Sequence, residues 1–185
     1  MGRLLKLSGW IDGLNEWVGR AMWWCSLVMI LIGVYNASVR YLGNFLGANL
    51  SSNAYLELQW YLFGAVFMLG AAYSLRHDAH VRVDIIYARL STRGKAWIDL
   101  LGAVLFLLPF CAMTLWLSLN WVSFSWKIHE MSGNPGGLPR YPIKTVVPVA
   151  LVLLILQGIS QLIKAVAVLR GDLKDLGPHE EVEGL

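Results

Sequence analysis

The sequence predicts an all-α integral membrane protein: four transmembrane helices with amphipathic interfacial helices, and both termini in the cytoplasm. Three observations carry this. Four stretches without a charged residue, 21–39, 58–75, 100–126 and 145–163, fill much of the 185-residue chain. A bilayer core of about 30 Å takes roughly 20 apolar residues to cross as a helix. The chain is 57% hydrophobic and 15% charged, where water-soluble domains carry about 25% charged residues. Last, the basic residues are shared unevenly between the two sides. Eleven precede the first stretch, separate the second from the third or follow the fourth; four, Arg40, Lys127, Arg140 and Lys144, fall on the other side. The positive-inside rule turns that bias into an orientation.

Helices follow from the solvent. In lipid each backbone N–H and C=O needs an internal partner, which leaves helices and closed barrels. Barrel strands alternate apolar and polar residues, and 147–156 does not. The chain reads as a single membrane domain, 1–185, with an amphipathic segment at 4–18, spans at about 20–42, 55–76, 97–124 and 145–168, and a cytoplasmic tail at 171–185.

Taken in order, segment 4–18 places Leu7, Trp10, Ile11, Leu14 and Val18 at helical spacing, with Lys6, Asp12, Asn15 and Glu16 between them. That pattern suits a helix lying at headgroup level or against a partner protein. Arg3 and Lys6 precede no continuous apolar core, so this segment is expected to stay on the mature protein. After the first span, Ser51, Ser52 and Asn53 suit the cap of the second. Between spans two and three, Val83, Ile86, Tyr87 and Leu90 repeat the amphipathic stripe beside Arg82, Arg89 and Arg93. Pro109 should kink the third span. The segment 127–144 holds Gly133, Pro135, Gly136, Gly137, Pro139 and Pro142, and should form an ordered but irregular hairpin. The tail carries five acids and should be mobile.

Candidate functional residues are few. Arg40, Glu57 and Asp99 lie near span ends, where anchoring or ion pairing serves them. Asn36, Asn120, Gln157 and Gln161 are uncharged and suit hydrogen bonds between helices. Gln157 and Gln161 share a face, which should meet protein rather than lipid. Asn36, Arg40, Glu57, Gln59, Gln157 and Gln161 are the candidate partner-interface residues. Trp10, Trp17, Arg82, Tyr87, Arg89 and Trp97 are the candidate membrane-surface anchors. Gly33 and Ala37 form a small-xxx-small pair, and Gly64, Gly70, Ala71 and Ala72 a smooth patch on the second span. His77, Asp78, His80 and Asp84 have metal-like chemistry, but lack further ligands at convincing spacing. They read as interfacial charges paired with Arg76 or Arg82. Cys25 and Cys111 read as free thiols in apolar runs. No catalytic, cofactor or metal site, and no nucleic-acid partner, is expected. Haem binding would need paired histidines within spans. A small self-contained homodimeric transporter would need an embedded acid, for which Glu57 is the candidate.

Two tracts carry a family resemblance: ELQWYLF at 57–63 running into MLGAAYSLRHDAHVRVD at 68–84, and GLPRYPIK at 137–144 followed by LLILQG ending at Gly158. Over residues 10–170 the chain resembles the small permease subunit, DctQ-like, of tripartite ATP-independent periplasmic (TRAP) transporters. The resemblance implies a partnership with a large elevator-type permease subunit and a periplasmic substrate-binding protein, in the inner membrane of a bacterium. It implies sodium-coupled import of organic anions, carboxylates or 2-oxo acids among them. The small subunit then braces the large one and binds no substrate. The residues argue independently in the same direction, because a charge-poor midplane offers cargo no ionic foothold.

Overall fold

Four long helices make up the described part of the chain, with no strand among the described residues. The structure is a computed structural model and describes residues 2–47, 52–78 and 90–173. The helices are α1, Gly2–Leu46; α2, Asn53–Arg76; α3, Thr92–Lys127; and α4, Tyr141–Arg170. Each is long and apolar enough to cross a membrane. Arg82, Val83, Asp84, Ile86, Tyr87 and Arg89 of the second amphipathic stripe, His80, and the tail beyond Leu173 lie outside the described residues.

α4 is the hub. It packs against α1, α2 and both halves of α3, while α1 also lies along α2. The reason is in its sequence: Ala150, Gly158, Ser160, Ala165 and Ala167 are buried and small, so neighbouring backbones approach closely. Of its most apolar stretch 33% is buried within the protein, against 6% for α1 and α2. The other helices turn most of their apolar surface outward.

Local chemistry sets the helix ends. Ser52 caps α2, its hydroxyl accepting from the Ala54 amide at 3.3 Å, as the sequence suggested. Ser91 caps α3 through the Gly94 amide. Gly171 ends α4 in the left-handed region at φ 85°, which lets the Asp172 amide reach back to the Ala167 carbonyl at 2.9 Å. In α3 a π turn at Ala103–Leu107 comes just before Pro109. Proline lacks an N–H and crowds the preceding turn, and the widened turn accommodates it. The bulge also carries Leu107 and Leu108 against Gly158, where a Cβ would lie 2.9 Å from Leu107 Cδ2.

The sequence set segment 4–18 apart from the span at 20–42, whereas the structure runs both as one 45-residue helix. At 1.5 Å per residue it is about 67 Å long. Gly19, the natural place for a break, serves packing instead: a Cβ there would stand 2.2 Å from the Tyr73 ring. The segment also turns its polar side inward. Ser8, Asp12 and Asn15 are buried, while Leu4, Leu7, Trp10 and Trp17 are exposed.

Candidate partner interface and the polar clamps behind it

Two polar clamps hold the helices together, one at the terminal end of the bundle and one at the loop end. At the terminal end, Asp12 of α1 meets Lys164 of α4 at 2.5 Å. It also accepts from Ser160 Oγ at 2.7 Å and Gln157 Nε2 at 3.1 Å. Asn15 Nδ2 donates to Gln157 Oε1 at 2.7 Å, and the Ser8 and Ser160 hydroxyls stand 2.7 Å apart. These pairs run antiparallel along the two helices, 15 with 157, 12 with 160 and 164. α2 joins through Arg76, which donates to Glu16 and to the Asp12 carbonyl, both at 2.7 Å. His77 Nε2 lies 2.9 Å from Glu16, and Gln161 Nε2 donates to the Leu75 carbonyl.

The loop end is closed by Glu57, which is 3% exposed. Its Oε1 accepts from Ser132 Oγ and from Asn134 Nδ2, and its Oε2 from the Leu138 amide at 2.7 Å. The segment 128–140 is thereby folded over the start of α2. Its own irregular hairpin is pinned by an antiparallel bridge between Met131 and Pro139. Asn53 Nδ2 donates to the Pro135 carbonyl, and Gly137 passes so close that a Cβ would be 2.7 Å from Glu57 Oε2. Beside it, Glu130 pairs with Lys144 and accepts from Ser125 at 2.7 Å. The Lys144 ammonium and the Ser125 hydroxyl hold the Glu130 carboxyl below the usual carboxylate range. Trp126 Nε1 donates to Thr145 Oγ1.

The candidate interface residues thus divide. Gln157, Gln161 and Glu57 are bonded within the chain, and Gln157 is fully buried. Asn36, Arg40 and Gln59 come together instead in a groove of about 480 Å³ between α1 and α2, with Gly33, Ala37, Tyr41, Asn44 and Leu56. Arg40 is exposed and makes no ion pair among the described residues. Asn36 is buried, and its Oδ1 has no hydrogen-bond partner. Trp10, Trp17 and Trp97 are exposed; Arg82, Tyr87 and Arg89 lie outside the described residues. Asn120 is exposed. Cys25 and Cys111 are unpaired thiols. His77 turns its ring to Glu16 and Tyr73.

Sequence reasoning missed Ser8, Ser160 and Lys164 as partners, and named Asp12 and Asn15 only as polar positions of the amphipathic segment. The signal was present in a pair of stripes: 8, 12 and 15 on one helix, 157, 160, 161 and 164 on another. Each is polar at helical spacing, and each supplies hydrogen-bond partners to the other, while Asn15 Oδ1 accepts none among the described residues.

The family model of the DctQ component of tripartite ATP-independent periplasmic transporters matches residues 17–168. The chain belongs to this family. It is a small TRAP transporter subunit, a transporter component, and a multi-pass membrane protein. In the tripartite system the DctQ component works with a large permease and a substrate-binding protein. No curated protein and no solved structure matches the chain.

Proposed function

We propose that this DctQ subunit is a scaffold, which holds the large elevator-type permease subunit in place while that partner carries the substrate. The transporter it serves imports organic anions, carboxylates or 2-oxo acids, into the cell on a sodium gradient, in concert with a periplasmic binding protein. It sits in the bacterial inner membrane with both termini in the cytoplasm.

One observation supports this reading above the others. Four acids near the helix ends are committed to the chain's own architecture: Asp12 to Lys164, Glu16 to Arg76, Glu57 to the 128–140 segment, Glu130 to Lys144. A cargo-binding site needs ionisable or broken-helix groups held open for the ligand. Glu57 is the acid that a self-contained homodimeric transporter would use, and both its oxygens are taken. Meanwhile Trp116, Phe106, Phe110 and Trp24 stand outward, an apolar surface suited to lipid.

Reconstitution tests it. Proteoliposomes with the large subunit and binding protein should accumulate a carboxylate substrate only when this chain is present and a sodium gradient is imposed. Uptake by this chain alone would overturn the scaffold reading; uptake without sodium would overturn the coupling.

A further inference from the structure

We propose that a transmembrane helix of the large permease subunit seats in the groove between the loop-end parts of α1 and α2, setting a hydrogen-bond donor against Asn36 and a carboxylate against Arg40. The inference rests on the scaffold reading and adds to it a face and the chemistry of the partner.

Asn36 is the starting point. It is 7% exposed, lines the groove, and its Oδ1 is buried without a donor. A buried acceptor left unmade is costly, and acyl tails cannot repair this one, since they donate nothing. One helical turn further along lies Arg40, a cation without a carboxylate among the described residues. The two needs, a donor and an anion about a turn apart, are what one helix face supplies through side chains three or four residues apart.

Shape agrees with charge. Ala37 lies exposed between Asn36 and Arg40, with no bulk to hold a neighbouring backbone away. Gly33 is already used inside the chain, since a Cβ there would be 2.5 Å from Gln59 Nε2. That contact sets the Gln59 amide along the other wall. The companion groove at the terminal end of the same helix pair, lined by Met22, Trp23, Val66, Phe67 and Gly70, contains no unpartnered buried polar atom. Lipid tails satisfy it.

The test uses the assembled transporter, purified through a tag on the large subunit. A photo-crosslinking benzoylphenylalanine at Ala37 should form a covalent adduct with the large subunit on illumination. The same group at Trp116, on the outer face of α3 (70% exposed), should not. Arg40→Glu should lower recovery of this chain several-fold at equal membrane abundance. Asn36→Leu should do the same while raising the thermal stability of the isolated chain, because it deletes an orphaned acceptor. Adducts only with lipid at Ala37, or with the large subunit at Trp116 alone, would overturn the groove assignment and leave the scaffold reading standing. Failure of the unaltered chain to copurify would overturn both.

Discussion

Asp12 and Lys164 form the most consequential pair of side chains in the protein. Both are mostly buried, at 12% and 19% side-chain exposure for the aspartate and lysine, and the aspartate is further held by Ser160 and Gln157. Removing one member of a buried pair strands the other charge, which costs on the order of 3 kcal/mol. Asp12→Ala should therefore lower the melting temperature of the detergent-solubilised chain sharply. Asp12→Ala with Lys164→Met should recover most of the loss, because two apolar side chains leave no charge uncompensated. A double-mutant cycle in thermal unfolding measures the coupling, and additive losses would show that the pair contributes nothing as a pair. Glu57 plays a different part, for it binds three donors from one loop. Glu57→Gln keeps one acceptor oxygen and replaces the other with a donor that faces the Leu138 amide. The 128–140 segment should then loosen, and a cysteine introduced at Asn134 should react with a maleimide several-fold faster than in the parent. Unchanged labelling would mean that the hairpin holds itself without the carboxylate.

Among the elements, α1 lies close against α2 at Gly19. The Tyr73 ring occupies the space of a side chain there, and Trp23 meets the same ring edge-on at 6.4 Å between centroids. Gly19→Ala must push α2 away or rotate Tyr73 out, an overpacking cost of about 1–3 kcal/mol. Gly19→Ala with Tyr73→Ala should regain part of it in the same thermal assay, and equal losses in both would put the strain elsewhere. The hairpin at 128–140 should respond to acid. Folding lowers the Glu130 carboxyl through Lys144 and Ser125, so its stabilising contribution is complete above the ordinary carboxylate pKa of about 4.3. It is lost as the pH falls below that, toward the lowered folded value. Hydrogen exchange over the hairpin should accelerate across that acid window and hold steady through neutral pH. Glu130→Gln should abolish the extra acid sensitivity. What the sequence revealed about these elements depended on distance along the chain. The four helices, the Ser52 cap and the irregular hairpin are written in runs and punctuation a few residues long. The hold of Glu57 on Ser132, and of Asp12 on Lys164, joins residues far apart. A polar stripe that faces water and one that faces a second stripe look alike until both helices are placed. The sequence put the apolar residues of segment 4–18 at headgroup level or against a partner, and the structure leaves Leu4, Leu7, Trp10 and Trp17 exposed while Ser8, Asp12 and Asn15 pack inward beside Ile11.

At the scale of the whole molecule, a 67 Å helix (about 1.5 Å for each residue of α1) exceeds the bilayer core of about 30 Å by more than half its length. The surplus lies at the terminal end, where Ser8, Asp12 and Asn15 pack along the last turns of α4 and where Ala96 of α3 meets Ala165 and Val168. Among the described residues, the terminal parts of α1, α3 and α4 therefore continue together past Arg76 and His77, the end of α2, and form a post. The basic residues choose which side. Arg3, Lys6, Arg20, Arg76, Arg93, Lys95, Lys164 and Arg170 belong to the terminal end, while Arg40, Lys127, Arg140 and Lys144 belong to the loop end. Positive residues are retained in the cytoplasm, so the post should stand in the cytoplasm and the hairpin should face the periplasm. A green fluorescent protein fused after Leu185 should fluoresce, since it folds in the cytoplasm, and alkaline phosphatase inserted after Asn134 should be active, since it matures outside. The converse pair of signals would invert the molecule and place the Asn36 groove in the cytoplasmic half of the membrane. Adding three lysines between Gly133 and Gly137 would narrow the charge difference and should produce a mixed population in both reporters, whereas three added glutamates should leave the orientation as it was.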